Sequence, residues 1–229
     1  MERKVFLIKE RKVEDEVLYL KLFPKDGKNL LFNSGQFVKF YSLNLKQTPS
    51  FRFYSINSTP FSQTLDFSIK VVGRFSNYIA SLEIGEEIGI EGPYGAFSFT
   101  DQKKMIFIAG GVGIAPIISA LRNIHENKIK GTFILVFSNK NDKFPFYSEL
   151  LKLSENSSIK IIFTITRDPP PNWKGEVGRF SEEMIHKCCP PLNGFSAFVC
   201  GPPQMALAAK ECLINLGVKK EEIEIEAWG

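Results

Sequence analysis

The chain reads as a two-domain α+β protein, an antiparallel Greek-key β-barrel over residues 1–100 and a doubly wound α/β parallel sheet over residues 101–229. Three observations predict this. Up to about Phe99 the sequence consists of short stretches of loose apolar alternation, closely punctuated by turn residues, the grammar of a small antiparallel barrel. Beyond the polar run Thr100-Asp101-Gln102-Lys103-Lys104, wholly apolar strands alternate with helical segments, which describes a parallel sheet covered on both faces. Glycine-rich turns then stand where strands of that second half give way to helices.

In the first half, strands are expected at Val17–Phe23, Gln36–Tyr41, Phe51–Ile56, Leu65–Val72 and Glu87–Glu91. Turns at Pro24-Lys25-Asp26-Gly27, Ser34-Gly35 and Gly92-Pro93-Tyr94-Gly95 separate them, and Ser76–Leu82 reads as one short helix. In the second half the expected strands are Met105–Ala109, Thr132–Phe137, Lys160–Ile165 and Ala197–Cys200. Helices are expected at Pro116–Glu126, near Tyr147–Leu153, at Ser181–His186 and at Pro202–Leu216.

Composition narrows the function classes. An apolar fraction of 44% and a charged fraction of 24% are those of a folded globular protein. The net charge of +4 is mild and the lysines are dispersed, which argues against nucleic acid as a ligand. The opening Met1-Glu2-Arg3-Lys4-Val5 lacks a signal-peptide run, and no segment approaches membrane-spanning length. Cys188, Cys189, Cys200 and Cys212 contain no Cys-x-x-Cys spacing, so no metal or iron–sulfur site is expected. A reduced, cytoplasmic protein is the resulting expectation.

Arg52-Phe53-Tyr54-Ser55 is the most informative stretch. Alternation along a strand puts Arg52 and Tyr54 on one side and Phe53 and Ser55 on the other. A guanidinium beside an aromatic plane suits a ligand with both a phosphate and a flat ring; an edge strand with a surface arginine is the plainer alternative. Ala109-Gly110-Gly111-Val112-Gly113-Ile114-Ala115-Pro116 joins the first parallel strand to its helix. Glycines there admit a pyrophosphate to the backbone and the helix start offers free N–H groups, although a simple tight turn would use the same residues. Cys200-Gly201-Pro202-Pro203-Gln204-Met205 repeats the arrangement after the last expected strand. Both turns should line one crevice, at whose rim Cys200 either meets a reactive ring or merely fills a strand end. Thr166-Arg167 closes another strand at the same edge, where the arginine binds a ribose phosphate or stands in solvent before Pro169-Pro170-Pro171.

Taken in order, Arg52-Phe53-Tyr54-Ser55, Gly73–Ser76, Gly110–Pro116 and Cys200–Met205 resemble the ferredoxin–NADP reductase superfamily across nearly the whole chain. The resemblance implies a flavin-binding barrel and a pyridine-nucleotide domain, with hydride passing from nicotinamide to flavin where the two domains meet. It assigns Arg52 to the flavin phosphate, Tyr54 to stacking on the isoalloxazine and Ser55 to the flavin N5. Ile69, Lys70 and Val71 would run beside the ribityl chain and adenosine. Gly73, Arg74, Phe75 and Ser76 would hold the pyrophosphate, with one glycine where the commoner form has two. FAD is accordingly expected over FMN. Gly111, Val112, Gly113 and Pro116, with Gly201, Pro202 and Met205, would hold the nicotinamide nucleotide, and Cys200 would set its approach. Thr166 and Arg167 resemble the pair that binds a 2′-phosphate, implying NADP(H) over NAD(H). Glu226 would relay a proton and Trp228 would cover the flavin.

The implied partner is a separate one-electron acceptor, ferredoxin or flavodoxin, since the chain has no ferredoxin cysteine pattern of its own. The alternatives are an electron-transfer subunit of a larger complex, as in dihydroorotate dehydrogenase assemblies, a free-flavin or quinone reductase, and a binding module without flavin.

Overall fold

The computed structural model describes residues 2–43, 51–95, 97, 99 and 102–227. The chain divides into two units, Met1–Thr100 with Ile118–Asn123, and Asp101–Ile117 with Ile124–Gly229.

The first unit contains β1 (Glu2–Glu14), β2 (Val17–Pro24), β3 (Phe37–Tyr41), β4 (Phe51–Ser55), β5 (Leu65–Lys70), α1 (Arg74–Ser81) and β6 (Glu87–Tyr94). All neighbours run antiparallel in the order β4-β3-β6-β1-β2-β5. The two outer strands meet just past β4, where Asn57 N–H donates to Asp66 O at 2.8 Å, giving a nearly closed barrel. Alternation fills its interior with Phe6, Ile8, Leu18, Leu20, Leu22, Val38, Phe40, Leu65, Phe67, Ile69, Ile88 and Ile90. Each such side chain contributes roughly 1.5–3 kcal/mol when removed from water. Helix α1 closes the barrel by setting Phe75 and Ile79 into this core.

Strand β1 was not expected from the sequence. Its lysines and glutamates mask the alternation of Lys4, Phe6 and Ile8 toward the inside. Lys4 is tolerated there because its ammonium donates to Lys28 O at 2.6 Å and to Asp26 at 3.2 Å. The β1–β2 hairpin turns on Asp15 and Glu16, both at positive φ, so no glycine marks it. Ile118–Asn123 joins this unit through side-chain bonds: Ser119 donates to Ser58 O at 2.6 Å and Arg122 to Asn57 O at 2.8 Å.

The second unit holds β7 (Lys104–Gly110), a 3₁₀ turn over Gly111–Ile114, both ends of α2 (Ala115–Glu126), β8 (Thr132–Asn139), α3 (Tyr147–Leu153) and β9 (Ile159–Ile165). There follow β10 (Glu176–Val177), α4 (Glu182–Cys188), β11 (Ser196–Gly201), α5 (Pro203–Asn215) and β12 (Ile223–Ala227). Every pairing is parallel, in the order β10-β9-β8-β7-β11-β12. Ile106, Ile108, Ile134, Val136 and Ile162 face α4 and α5 through Met184, Ile185, Ala206, Ala209 and Leu213. On the opposite face Phe137 and Phe163 receive α3, with the Tyr147 ring 4.9 Å from that of Phe163. The sheet is thus covered on both sides, as its continuous apolar strands require.

Chain order reverses between β7 and β11, so ligands of this unit belong beyond the carboxyl ends of those two strands. Strands β10 and β12 were not expected. No helix among the described residues is long and apolar enough to cross a membrane.

Candidate cofactor and nucleotide sites

In the first unit, β4 pairs with β3 so that Arg52 lies opposite Phe40 and Tyr54 opposite Val38. Arg52 and Tyr54 therefore share a face, and Phe53 and Ser55 take the other. Tyr54 sets its ring edge-on to Phe40 at 5.1 Å. Burial pushes its phenol up to about 12, against the opposing pull of the Arg52 charge, so the hydroxyl is a donor throughout the ordinary pH range. Arg52 is exposed, and among the described residues its guanidinium donates once, to Phe51 O at 2.8 Å. Phe53 packs between Phe37 and Tyr94, each ring centroid 5.6 Å away.

Strand β5 leads from buried Ile69 through exposed Lys70 and half-buried Val71 to the start of α1. Gly73 caps that helix, and a Cβ built on it meets no atom within 4 Å. The helix therefore begins under open space, with backbone N–H groups of its first turn available for an anion. Ser76 has a local role: its hydroxyl accepts from Val72 N and Gly73 N, each at 2.9 Å, and donates to Gly73 O at 3.0 Å. It braces the turn. Phe75 sets its ring, 3% exposed, into the barrel core, so its backbone N–H in the first turn of α1 is what it can offer a cofactor. An exposed guanidinium, a tyrosine hydroxyl and an uncovered helix start fit the phosphates of a flavin nucleotide, Arg74 adding a second exposed cation.

In the second unit the two glycine turns are interlocked. A Cβ on Gly113 would stand 2.3 Å from Cys200 O, one on Gly201 would stand 2.5 Å from Met205 Cε, and one on Gly110 would stand 2.6 Å from Met205 Sδ. Gly110, absent from the expected site residues, is thus as constrained as its neighbours. Gly111 adopts φ +55, which L side chains rarely accept. Val112 is half-buried, Pro202 exposed, and Pro116 is buried in the first turn of α2. The glycines bring the ends of β7 and β11 into contact at the reversal of strand order, leaving a glycine backbone as the lip of the crevice. Cys200 is fully buried.

Glu226 lies opposite Cys200 in the β11–β12 ladder and is half-buried. At the end of β9, Thr166 donates both its N–H (2.9 Å) and its hydroxyl (3.2 Å) to Asn139 O. Arg167 N–H and Asp168 N–H both donate to Lys140 O, at 3.1 and 3.3 Å, and the Arg167 side chain is exposed. The ends of β8 and β9 are therefore laced together; the Thr166 hydroxyl donates within that lacing, and the exposed Arg167 guanidinium has no hydrogen bond among the described residues. Trp228 lies outside the described residues.

A barrel offering a cation, a tyrosine and an open helix start, followed by a parallel sheet with glycine turns at its switch point, defines a flavin- and nicotinamide-nucleotide-binding oxidoreductase. Residues 4–99 match the family described as Oxidoreductase FAD-binding domain, and residues 107–211 match Oxidoreductase NAD-binding domain. Sulfhydrogenase 1 subunit gamma of Pyrococcus furiosus is 32% identical over 221 residues, spanning 92% of this chain and 73% of the relative. The chain belongs to the ferredoxin–NADP reductase superfamily. NADH-cytochrome b5 reductase 1 of Aspergillus terreus is 32% identical over 158 residues, 65% of this chain and 53% of that protein. The chain spans about half the length of that reductase. Among solved structures, the cytochrome b5 reductase domain of Ulva prolifera nitrate reductase superposes with a TM-score of 0.88 at 22% identity, covering 98% and 97% of the two chains. A ferredoxin NADP+ reductase from Neisseria gonorrhoeae, bound to FAD and NADP, gives 0.81 at 22% identity and 99% of each chain. At these identities the two structures bear on the fold alone.

Proposed function

We propose that this chain is an FAD-dependent NAD(P)H reductase that takes reducing equivalents from NADPH and passes electrons to a separate one-electron acceptor protein, ferredoxin or flavodoxin. The observation that carries this reading is the presence, in one chain, of an FAD-binding and an NAD-binding oxidoreductase domain over residues 4–99 and 107–211. Bound flavin supplies chemistry that no side chain has, accepting a hydride and releasing electrons singly.

The residues divide the remaining work. Arg52 neutralises the flavin phosphate and Tyr54 offers a flat ring and a hydroxyl beside it. Ser55 presents its hydroxyl to the flavin ring, and Ile69, Lys70 and Val71 run along the rest of the cofactor. The open start of α1 at Gly73 and Arg74 receives the pyrophosphate. Gly111, Val112 and Gly113 bind the pyrophosphate of the nicotinamide nucleotide on backbone N–H groups, beside Gly201, Pro202 and Met205, and Pro116 shapes the loop by opening α2 where a missing N–H costs nothing. Cys200 holds the approach of the nicotinamide, and Glu226, across the ladder, moves a proton. Arg167 supports a preference for NADPH, since an exposed guanidinium at this strand end suits a 2′-phosphate. Four cysteines, none of them in a disulfide among the described residues, are consistent with a cytoplasmic setting.

A second reading rests on a specific observation. The similarity to sulfhydrogenase 1 subunit gamma extends over 92% of the chain, which favours a subunit that feeds a larger oxidoreductase. Purified protein loaded with FAD, reduced with NADPH and offered ferredoxin, flavodoxin and cytochrome b5 in turn separates these readings. Turnover with ferredoxin or flavodoxin supports the first. Ready flavin reduction without turnover on any soluble acceptor supports the second.

A further inference from the structure

The β1–β2 hairpin is bonded to both ends of the segment that carries helix α1. Strand β1 pairs with β6 only from Glu2 to Leu7, and beyond that point the hairpin runs on to its turn at Asp15 and Glu16. Ahead of the helix, Val71 N–H donates to Glu16 O at 2.9 Å. Past it, Gly85 N–H donates to Ile8 O at 2.8 Å. Between these two ties, the Arg11 guanidinium donates through Nη2 to Ala80 O at 2.5 Å. Of the three, this is the one made by a side chain.

The last carbonyls of a helix lack partners within it. In α1 the Ser81 hydroxyl donates to Tyr78 O at 2.8 Å and Leu82 N–H donates to Ile79 O at 3.2 Å. The last turn has no basic residue of its own. Arg11, reaching across from β1, supplies both the donor for Ala80 O and the cation that a helix C-terminus favours. It is held there at a cost. Its side chain is 25% exposed, Glu83 stands 3.7 Å from Nη1, and Nε is buried with no hydrogen-bond partner among the described residues. Such a donor is expensive to take out of water, and an apolar side chain would fill the space without that penalty.

The packing of α1 leaves room for such a bond to matter. Phe75 and Ile79 lie one turn apart on its buried face, and apolar contact is non-directional. It sets which face meets the barrel; a directional bond to the helix backbone sets where the helix sits along its axis. The bond from Ser42 Oγ to the Tyr78 hydroxyl, at 3.1 Å, ends on a rotatable side chain instead. We propose that Arg11 is a positioning residue for the cofactor: by holding Ala80 O it fixes the axial position of α1, and so the place at which the first turn meets a flavin pyrophosphate. The inference rests on the reading that the start of α1 receives that pyrophosphate. Arg11 acts through the helix, because eight residues at about 1.5 Å each put its ends about 12 Å apart, more than the Debye length of about 8 Å at physiological salt.

The test compares FAD with riboflavin, which has the ring and no phosphate, by isothermal titration calorimetry on the full chain in its apo form. Arg11→Met keeps the apolar stem and removes the donor. It should weaken FAD about tenfold and leave riboflavin within about twofold. Arg11→Lys keeps a cationic donor and should recover most of the FAD affinity. An arginine that merely braced the barrel would lower both ligands together. That result, unchanged FAD binding in Arg11→Met, or an Arg11→Lys affinity no better than that of Arg11→Met would overturn the proposal. Failure of the underlying reading shows separately, in the wild type: FAD bound no more tightly than riboflavin would mean that α1 meets no pyrophosphate, and both would fall.

Discussion

Gly113 and the carbonyl of Cys200 are packed so tightly that a single methyl group cannot be placed between them; its Cβ would lie 2.3 Å from the oxygen. The colliding atom is backbone at the end of β11, so relief requires one of the two turns to move. Gly113→Ala should therefore raise the Michaelis constant for the nicotinamide nucleotide at least tenfold, with a stability loss of about 1–3 kcal/mol. The barrel is untouched, so flavin content should stay at the wild-type ratio. Steady-state kinetics together with the flavin-to-protein absorbance ratio reads both.

Arg52 is exposed, and among the described residues its guanidinium makes one contact, to Phe51 O. Arg52→Ala should lower flavin affinity by roughly tenfold to a hundredfold, the range of one lost charge-assisted phosphate contact. Equilibrium dialysis of FAD against the variant checks this, and retention equal to wild type would remove Arg52 from the site.

Arg167 and Thr166 were expected as a phosphate-binding pair, but the Thr166 hydroxyl is engaged by Asn139 O. Discrimination between NADPH and NADH should then rest on Arg167. Arg167→Ala should weaken NADPH by about tenfold and leave NADH within about twofold, while Thr166→Val should change both nucleotides equally. Comparing the two nucleotides' Michaelis constants for each variant decides the matter.

Much of this site could be read from the sequence because its chemistry is local. Gly110–Pro116 and Gly201–Met205 are defined by glycines whose spacing serves a backbone need, and the structure sets them against each other. The face shared by Arg52 and Tyr54 follows from strand alternation alone. Partner choice in three dimensions was hidden. Nothing in Phe75-Ser76 announces that the ring enters the barrel core and the hydroxyl folds back onto Val72 and Gly73. Strand β12, with alternating isoleucine and glutamate, carries no continuous apolar run because it is the sheet's outer strand. Glu226 was accordingly placed by resemblance, and its position opposite Cys200 came from the ladder. Strand β1 was missed because charged residues serve as its turn and even as one of its inward positions.

On the barrel, the Glu91 carboxylate accepts from Tyr94, Arg3 and Lys39. The Tyr94 hydroxyl and the Arg3 guanidinium together hold it down to about 2, against an ordinary value of 4.5. A depressed carboxylate contributes stability that is complete above its unfolded value and is lost as pH falls through its folded one. Unfolding midpoints in urea should therefore fall between about pH 4.5 and pH 2. In Glu91→Gln that part of the decline should be absent, the variant being less stable at neutral pH and converging on wild type in acid.

Anaerobic rapid mixing of the FAD-loaded protein with NADPH, followed through the flavin's visible absorbance, tests the central claim most directly. The account predicts prompt, complete bleaching with NADPH, slowed at limiting nucleotide in Gly113→Ala, and recovery of colour when a one-electron acceptor is added. Visible absorbance that persists with both NADPH and NADH in a fully FAD-loaded sample would contradict it.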